Sequence, residues 1–293
     1  MKILHHDDID GRSAANTIYQ MYKNKLNKND FFEMNYTKKF PVEECKNEEV
    51  FIVDFSIQES NYSQFLELYN VANKVIWIDH HHTSLETIKN HPWMSKIPGR
   101  VFEGICGAAL TYMYLHGINV SLENIQRLPR YLQLIDDFDC WKLKLNDTMN
   151  FKYGIEAHDH NPTSKFWNSL AINPQDSDCD ILIKEGKIIN RYNEQKFKEM
   201  RESNAYESEY DRLKCLIINA DGFSQLFGDE LHNYDFCCLW NYTGKEYSYS
   251  IYSDQTKENA VDCSEIAKKY GGGGHPGASG FQTKELVKWC IKN

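Results

Sequence analysis

Lys2-Ile-Leu-His-His6-Asp-Asp8-Ile-Asp10-Gly11 runs from a short apolar strand directly into an imidazole, two carboxylates at alternate positions and a glycine. The next segment, Ser13-Ala-Ala-Asn-Thr-Ile-Tyr19, reads as the start of a helix. Residues i, i+2 and i+4 of a strand share one face, so His6, Asp8 and Asp10 converge where the strand ends. Open α/β sheets place their ligands at that carboxyl edge. Oxygen and imidazole donors together suit manganese, magnesium or zinc.

Three later stretches repeat the pattern. Phe51-Ile-Val-Asp54-Phe-Ser56 is a buried-strand run ending in a carboxylate, and Val75-Ile-Trp-Ile78 ends in Asp79-His80-His81-His82. Leu132-Gln-Leu-Ile135 then runs into Asp136-Asp137-Phe138-Asp139. Apolar strands that end in polar groups, with amphipathic segments between them, predict a doubly wound parallel sheet. Each strand or helix end delivers one or two ligands to a common edge.

His6-x-Asp8-x-Asp10, Asp54, Asp79-His80-His81 and Asp136-Asp137 resemble the four motifs of the DHH phosphoesterase superfamily. Near the other end, Gly271-Gly-Gly-Gly274-His275-Pro-Gly-Ala-Ser-Gly280-Phe281 resembles the signature loop of the C-terminal domain that accompanies this catalytic domain in many members. The resemblance spans nearly the whole chain, in order. It implies an α/β protein with a parallel-sheet catalytic domain, a helical linker and a smaller mixed α/β domain, the active site lying in the cleft between them. It also implies a hydrolase acting on phosphoester bonds with two divalent ions, most often Mn²⁺, with Mg²⁺ or Co²⁺ as alternatives. Position by position, His6 and Asp8 would hold one ion, Asp10 and His80 the other, and Asp54 would bridge. Asp137 would complete the first ion's set, with Asp136 and Asp139 as rivals. His81 would touch the scissile phosphate or give a proton to the leaving oxygen, and Asp79 would orient a neighbour.

Gly272, Gly273 and Gly274 would let backbone amides approach an anion, with His275 adding a side-chain contact. Many nanoRNase-like members carry an arginine in a Ser-Leu-Arg-Ser strand. Here the matching stretch is Ser250-Ile-Tyr252-Ser253, so Tyr252 stands where the cation would be. A tyrosine can stack on a base but makes no charged fork to a phosphate. The expected substrates are short oligonucleotides or cyclic or linear dinucleotides, cut to mononucleotides. The alternatives are a phosphomonoesterase acting on 3′-phosphoadenosine 5′-phosphate or short polyphosphate, and a non-catalytic nucleotide sensor.

Composition agrees. The 293 residues exceed one comfortable core and suit two domains. A net charge of −9 disfavours long duplex nucleic acid, which needs a broad basic surface, while leaving room for a short anion at a cationic centre. No stretch reads as a signal peptide or a membrane span. Nine scattered cysteines without a CxxC pair read as reduced thiols of a cytoplasmic protein. The oligomeric state stays open, a homodimer included. The expected domains are residues 1–174, a helical linker over 175–212, and a substrate-binding domain over 213–293. Residues 284–290 are expected to close the chain as a helix.

Overall fold

The computed structural model describes residues 1–172, 176–222 and 224–291. The described chain divides into two compact units, Met1–Asn190 and Arg191–Asn293. The expected boundary at 174/175 lies outside the described residues.

In the first unit five parallel strands form one sheet: β1 (Lys2–His6), β2 (Phe31–Met34), β3 (Glu49–Val53), β4 (Lys74–Asp79) and β5 (Gly99–Val101), in the order β2-β1-β3-β4-β5. Its strands alternate between two apolar faces, as period-2 patterning requires. Ile3, Phe51, Val53, Ile76 and Ile78 face one core, and Leu4, Val50, Ile52, Val75 and Trp77 the other. The first core is closed mainly by α1 (Ile9–Tyr22), α4 (Gly107–Leu115), α5 (Arg130–Asp139), α6 (Thr148–Glu156) and α7 (Lys165–Ile172). The second is closed by α2 (Tyr62–Val71), with α3 (His82–Asn90) packing Ile88 against it. The strand order reverses direction between β1 and β3, the switch point where doubly wound sheets bind ligands.

Residues 132–135 are helical rather than a strand. Tyr131, Leu132, Leu134 and Ile135 are all buried in α5, a spacing that one helical face accommodates.

α8 (Asp176–Asn204) leads to the second sheet, which comprises β6 (Ala205–Tyr210), β7 (Leu213–Asn219), β8 (Phe236–Tyr242), β9 (Tyr247–Tyr252), β10 (Gly273–His275) and β11 (Ala278–Thr283). Its order is β10-β11-β9-β8-β7-β6, with only β7 and β8 parallel. α9 (Cys263–Lys269) and Trp289 cover one face. Leu226, Phe227 and Tyr234 cover the other. The helix expected up to residue 212 ends at Asn204, because Ala205-Tyr-Glu-Ser-Glu-Tyr210 alternates and pairs with β7 as an edge strand. The closing helix is reduced to a 3-10 turn, Lys288–Cys290. No described helix is long and apolar enough to cross a membrane.

Candidate metal centre

Parallel register assembles the site. His5 pairs with Val53, and Val53 with Ile78, so the next residues, His6, Asp54 and Asp79, leave the sheet at one level. Asp54 leaves it in the left-handed region, at φ 52°, a conformation that short polar side chains tolerate best and that marks functional sites. The Asp54 amide donates to the Ile78 carbonyl at 2.8 Å, which fixes that turn.

Asp54 is fully buried, and neither of its oxygens has a hydrogen-bond donor among the described residues. His80 Nε2 lies 3.2 Å from one oxygen and His6 Nδ1 3.9 Å from the other. His80 Nε2 also lies 3.1 Å from Asp139 Oδ2 and 3.7 Å from Asp10 Oδ2. His6 Nδ1 stands 2.6 Å from Asp8 Oδ2. Asp8 also caps α1 by accepting the Gly11 amide at 2.9 Å. Burial and then the charges of Asp10 and Asp8 push the carboxyls of Asp54 and Asp139 well above the usual range. Burial also works against ionisation of Asp8, but His6 outweighs it and holds that carboxyl at about 2.

Like charges packed this closely, with buried oxygens lacking donors, are costly unless a cation compensates them. Carboxylate and imidazole are the donors that hard and borderline divalent ions take. The residues therefore fit a metal centre. His6, Asp8 and Asp54 offer one set of donor atoms within 4.8 Å of one another, and Asp54, His80 and His81 offer a second. Asp54 belongs to both. A third set, His80, Asp139 and Cys140, shares His80 with the second.

Asp10 serves the scaffold as well. Its two oxygens accept the amides of Gly107 and Ala108 at 2.6 and 2.7 Å, capping α4. Each carboxylate oxygen has a second lone pair, so this does not remove it from the centre. Gly107, which sequence reasoning missed, is required by this close approach. A Cβ there would lie 2.6 Å from the Asp54 Cβ. Its only signal was a glycine opening the small-residue run Gly107-Ala-Ala109.

The three carboxylates of the fourth motif have different surroundings. The Asp137 carboxylate accepts from the Lys144 and Leu145 amides at 2.9 and 3.0 Å and from Thr148 Oγ1 at 2.5 Å, which anchors the loop after α5. Asp136 is held by the Cys106 amide and Lys142 Nζ. Asp139 is the carboxylate of this motif that reaches His80.

His81 is oriented by Asp79, whose Oδ1 lies 2.8 Å from its Nδ1. Ser84 Oγ donates to the other oxygen of Asp79. Burial disfavours both charges, yet the pair outweighs it: Asp79 is held below, and His81 above, its ordinary pKa. This leaves the His81 Nε2 edge as the one not engaged by Asp79.

In the second unit the glycine run ends a helix and opens a hairpin. The amides of Gly271 and Gly272 donate to Lys268 and Ala267 carbonyls, with Gly271 at φ 79° terminating α9. The Gly272 amide is thus consumed, and Gly273 and Gly274 lie in β10, paired with Gly280 and Ser279. His275 and Tyr252 both pair with Ala278, from opposite sides. The three side chains therefore share one face, with the smallest in the middle. His275 is exposed, and Tyr252 is partly buried on the face that holds Phe227.

No family model matches the chain. It is 25% identical over 260 residues to oligoribonuclease NrnB of Bacillus subtilis, covering 84% of this chain and 62% of that protein. The chain spans about three fifths of the length of the curated relatives it matches. Among solved structures, it resembles the DHH domain of a member of the s1p family of ribosomal proteins, with a TM-score of 0.55 and 15% identity over 95% of this chain and 81% of the other. It also resembles the pGpG-specific phosphodiesterase PggH from Vibrio cholerae, with a TM-score of 0.54 and 13% identity over 97% and 93% of the two chains. Motif order and the sheet that presents the motifs agree with the resemblance to DHH phosphoesterases, and the likeness to these solved structures shows that the fold is shared.

Proposed function

We propose that the chain is a metal-dependent phosphodiesterase that hydrolyses short oligonucleotides or dinucleotides to mononucleotides. The observation that carries this reading is Asp54, a buried carboxylate without a hydrogen-bond donor, flanked by His6 and His80 and shared between two donor sets. His6 and Asp8 would hold one divalent cation, Asp10, His80 and Asp139 would hold the second, and Asp54 would be shared between them. Mn²⁺ is the expected ion, with Mg²⁺ or Co²⁺ as substitutes. Two such ions offset the charge on a phosphodiester and lower the pKa of an attacking water.

The chain's own residues supply the rest. Asp79 fixes the His81 ring through Nδ1, so Nε2 is the edge that meets the scissile phosphate and hands a proton to the leaving oxygen. Within the second unit, His275 and Tyr252 form one face on which a nucleotide would lie, with Ala278 leaving space between them. The relative named oligoribonuclease NrnB supports the diester class.

The test is hydrolysis by the purified protein with Mn²⁺, and with chelator as control. The panel comprises a 5′-phosphorylated dinucleotide, longer single strands, a cyclic dinucleotide and 3′-phosphoadenosine 5′-phosphate. Chelator-sensitive release of mononucleotides from the dinucleotide, abolished by Asp54→Ala, is the expected result. Turnover of the 3′-phosphate alone would replace the diesterase with a monoesterase. Binding without turnover of any compound would leave a sensor.

A further inference from the structure

Tyr36 takes no part in the metal set, yet it sits beside it. It follows β2 by two residues, and Met34 at the end of that strand is in register with His6, so Tyr36 leaves the same carboxyl edge. One face of its ring lies flat on Phe55, with centroids 5.0 Å apart and planes at 21°. Phe55 is buried and braced by Phe40 at 5.8 Å. The ring of Tyr36 is 5.8 Å from the His6 imidazole, and 48% of the residue's surface is exposed. Its turn is pinned as well: Asn35 donates to Asp7 at 2.9 Å and accepts from the Thr37 amide at 3.1 Å and its hydroxyl at 2.7 Å.

A half-exposed tyrosine that merely sealed the Phe55 core would need no such orientation. A ring backed by a buried aromatic, held by a fixed turn and placed against a metal-binding imidazole has the arrangement of a base-stacking platform. A nucleotide whose phosphate occupies the His6 end of the centre carries its base one sugar away, within reach of the exposed part of that ring.

We infer that Tyr36 is a specificity residue of this site, stacking the nucleobase attached to the phosphate under attack. The inference rests on the phosphodiesterase reading above. It makes the site a reader of nucleotides rather than of phosphate chains, and it holds purines more tightly than pyrimidines because they offer the larger ring surface.

Two readouts test it. The first is steady-state kinetics with Mn²⁺ on 5′-phosphorylated diadenylate and on the same compound made abasic at each position in turn. Tyr36→Ala is expected to raise KM about tenfold, equivalent to about 1.4 kcal/mol and within the range of a base-on-aromatic contact, with kcat within about twofold. Tyr36→Phe is expected to match wild type. With the platform-facing base removed, wild type and Tyr36→Ala are expected to have equal KM. The second readout needs no turnover: the fluorescence of 2-aminopurine nucleoside 5′-monophosphate should be quenched by wild type and Tyr36→Phe but not by Tyr36→Ala. Unchanged KM and unchanged quenching in Tyr36→Ala would overturn the platform. An equal KM rise on normal and both abasic substrates would do the same, since it would reveal a general distortion. Failure of the wild-type protein to cut any dinucleotide, with quenching intact, would instead overturn the phosphodiesterase reading and leave the platform standing.

Discussion

Asp137 and Asp139 sit two residues apart at the end of α5, and their environments give them different work. Three donors engage the Asp137 carboxylate, whereas Asp139 Oδ2 is buried, has no hydrogen-bond donor among the described residues and faces His80. If Asp139 is a ligand, Asp139→Asn should weaken Mn²⁺ binding by calorimetry and cut turnover by at least the roughly hundredfold that loss of an outer-shell partner can cost. Its apo form should be no less stable, because a buried carboxylate repelled by Asp10 and Asp8 has been neutralised. Asp137→Ala should still bind Mn²⁺ but lose about 2 kcal/mol in urea unfolding, since it strands donors in the loop after α5. The opposite pattern would return Asp137 to the centre. That His6, Asp8, Asp54 and His80 come together at one sheet edge was legible in the sequence, because each is an ionisable residue at the end of an apolar run. The fourth motif was not, because three carboxylates within four residues carry no mark of direction until the helix's turn of about 100° per residue is known.

At the scale of elements, the same ambiguity explains what the sequence concealed. Four apolar residues before Asp136 fit a strand or a helix face equally well, and only packing in the first core assigns them to α5. β6 was hidden because an edge strand carries charge, here Glu207 and Glu209, where a central strand would be apolar. The glycine run was legible as a special backbone, but its cause is the C-terminus of α9 and a hairpin.

Gly186 shows how far packing overrides propensity. Alanine is a better helix former than glycine by about 1 kcal/mol. Yet a Cβ at Gly186 would lie 1.6 Å from the Asn150 carbonyl oxygen, and one at Gly154 would lie 2.0 Å from that of Leu182. The two glycines are what let α6 and α8 touch backbone to backbone. Gly186→Ala should accordingly destabilise the protein by about 2 kcal/mol or more in urea, the cost of forcing the helices apart. A stabilised variant would mean that propensity governs this crossing.

Across the whole molecule, each unit has its own sheet with a core on both faces, and the metal donors among the described residues all come from the first unit. Two folds in series were legible from length and from the shift between the aspartate-tipped runs and the later aromatic strands. How the −9 net charge is distributed was not, since charges from four distant segments meet only once the sheet is wound. A ligand that binds only the folded state stabilises it by mass action, about 2.7 kcal/mol at a hundred times its dissociation constant. Mn²⁺ should therefore act on one unit. Hydrogen exchange of the full chain, with metal and with chelator, should show slower exchange in β1, β3 and β4 and at Gly107 and Ala108, whose amides are bound to Asp10. The core amides of β7, β8 and β9 should exchange alike in both conditions. Equal protection of both sheets would mean that the units unfold as one body. No protection at Gly107 and Ala108, with Mn²⁺ present in excess, would remove the metal from the centre that His6, Asp54 and His80 form.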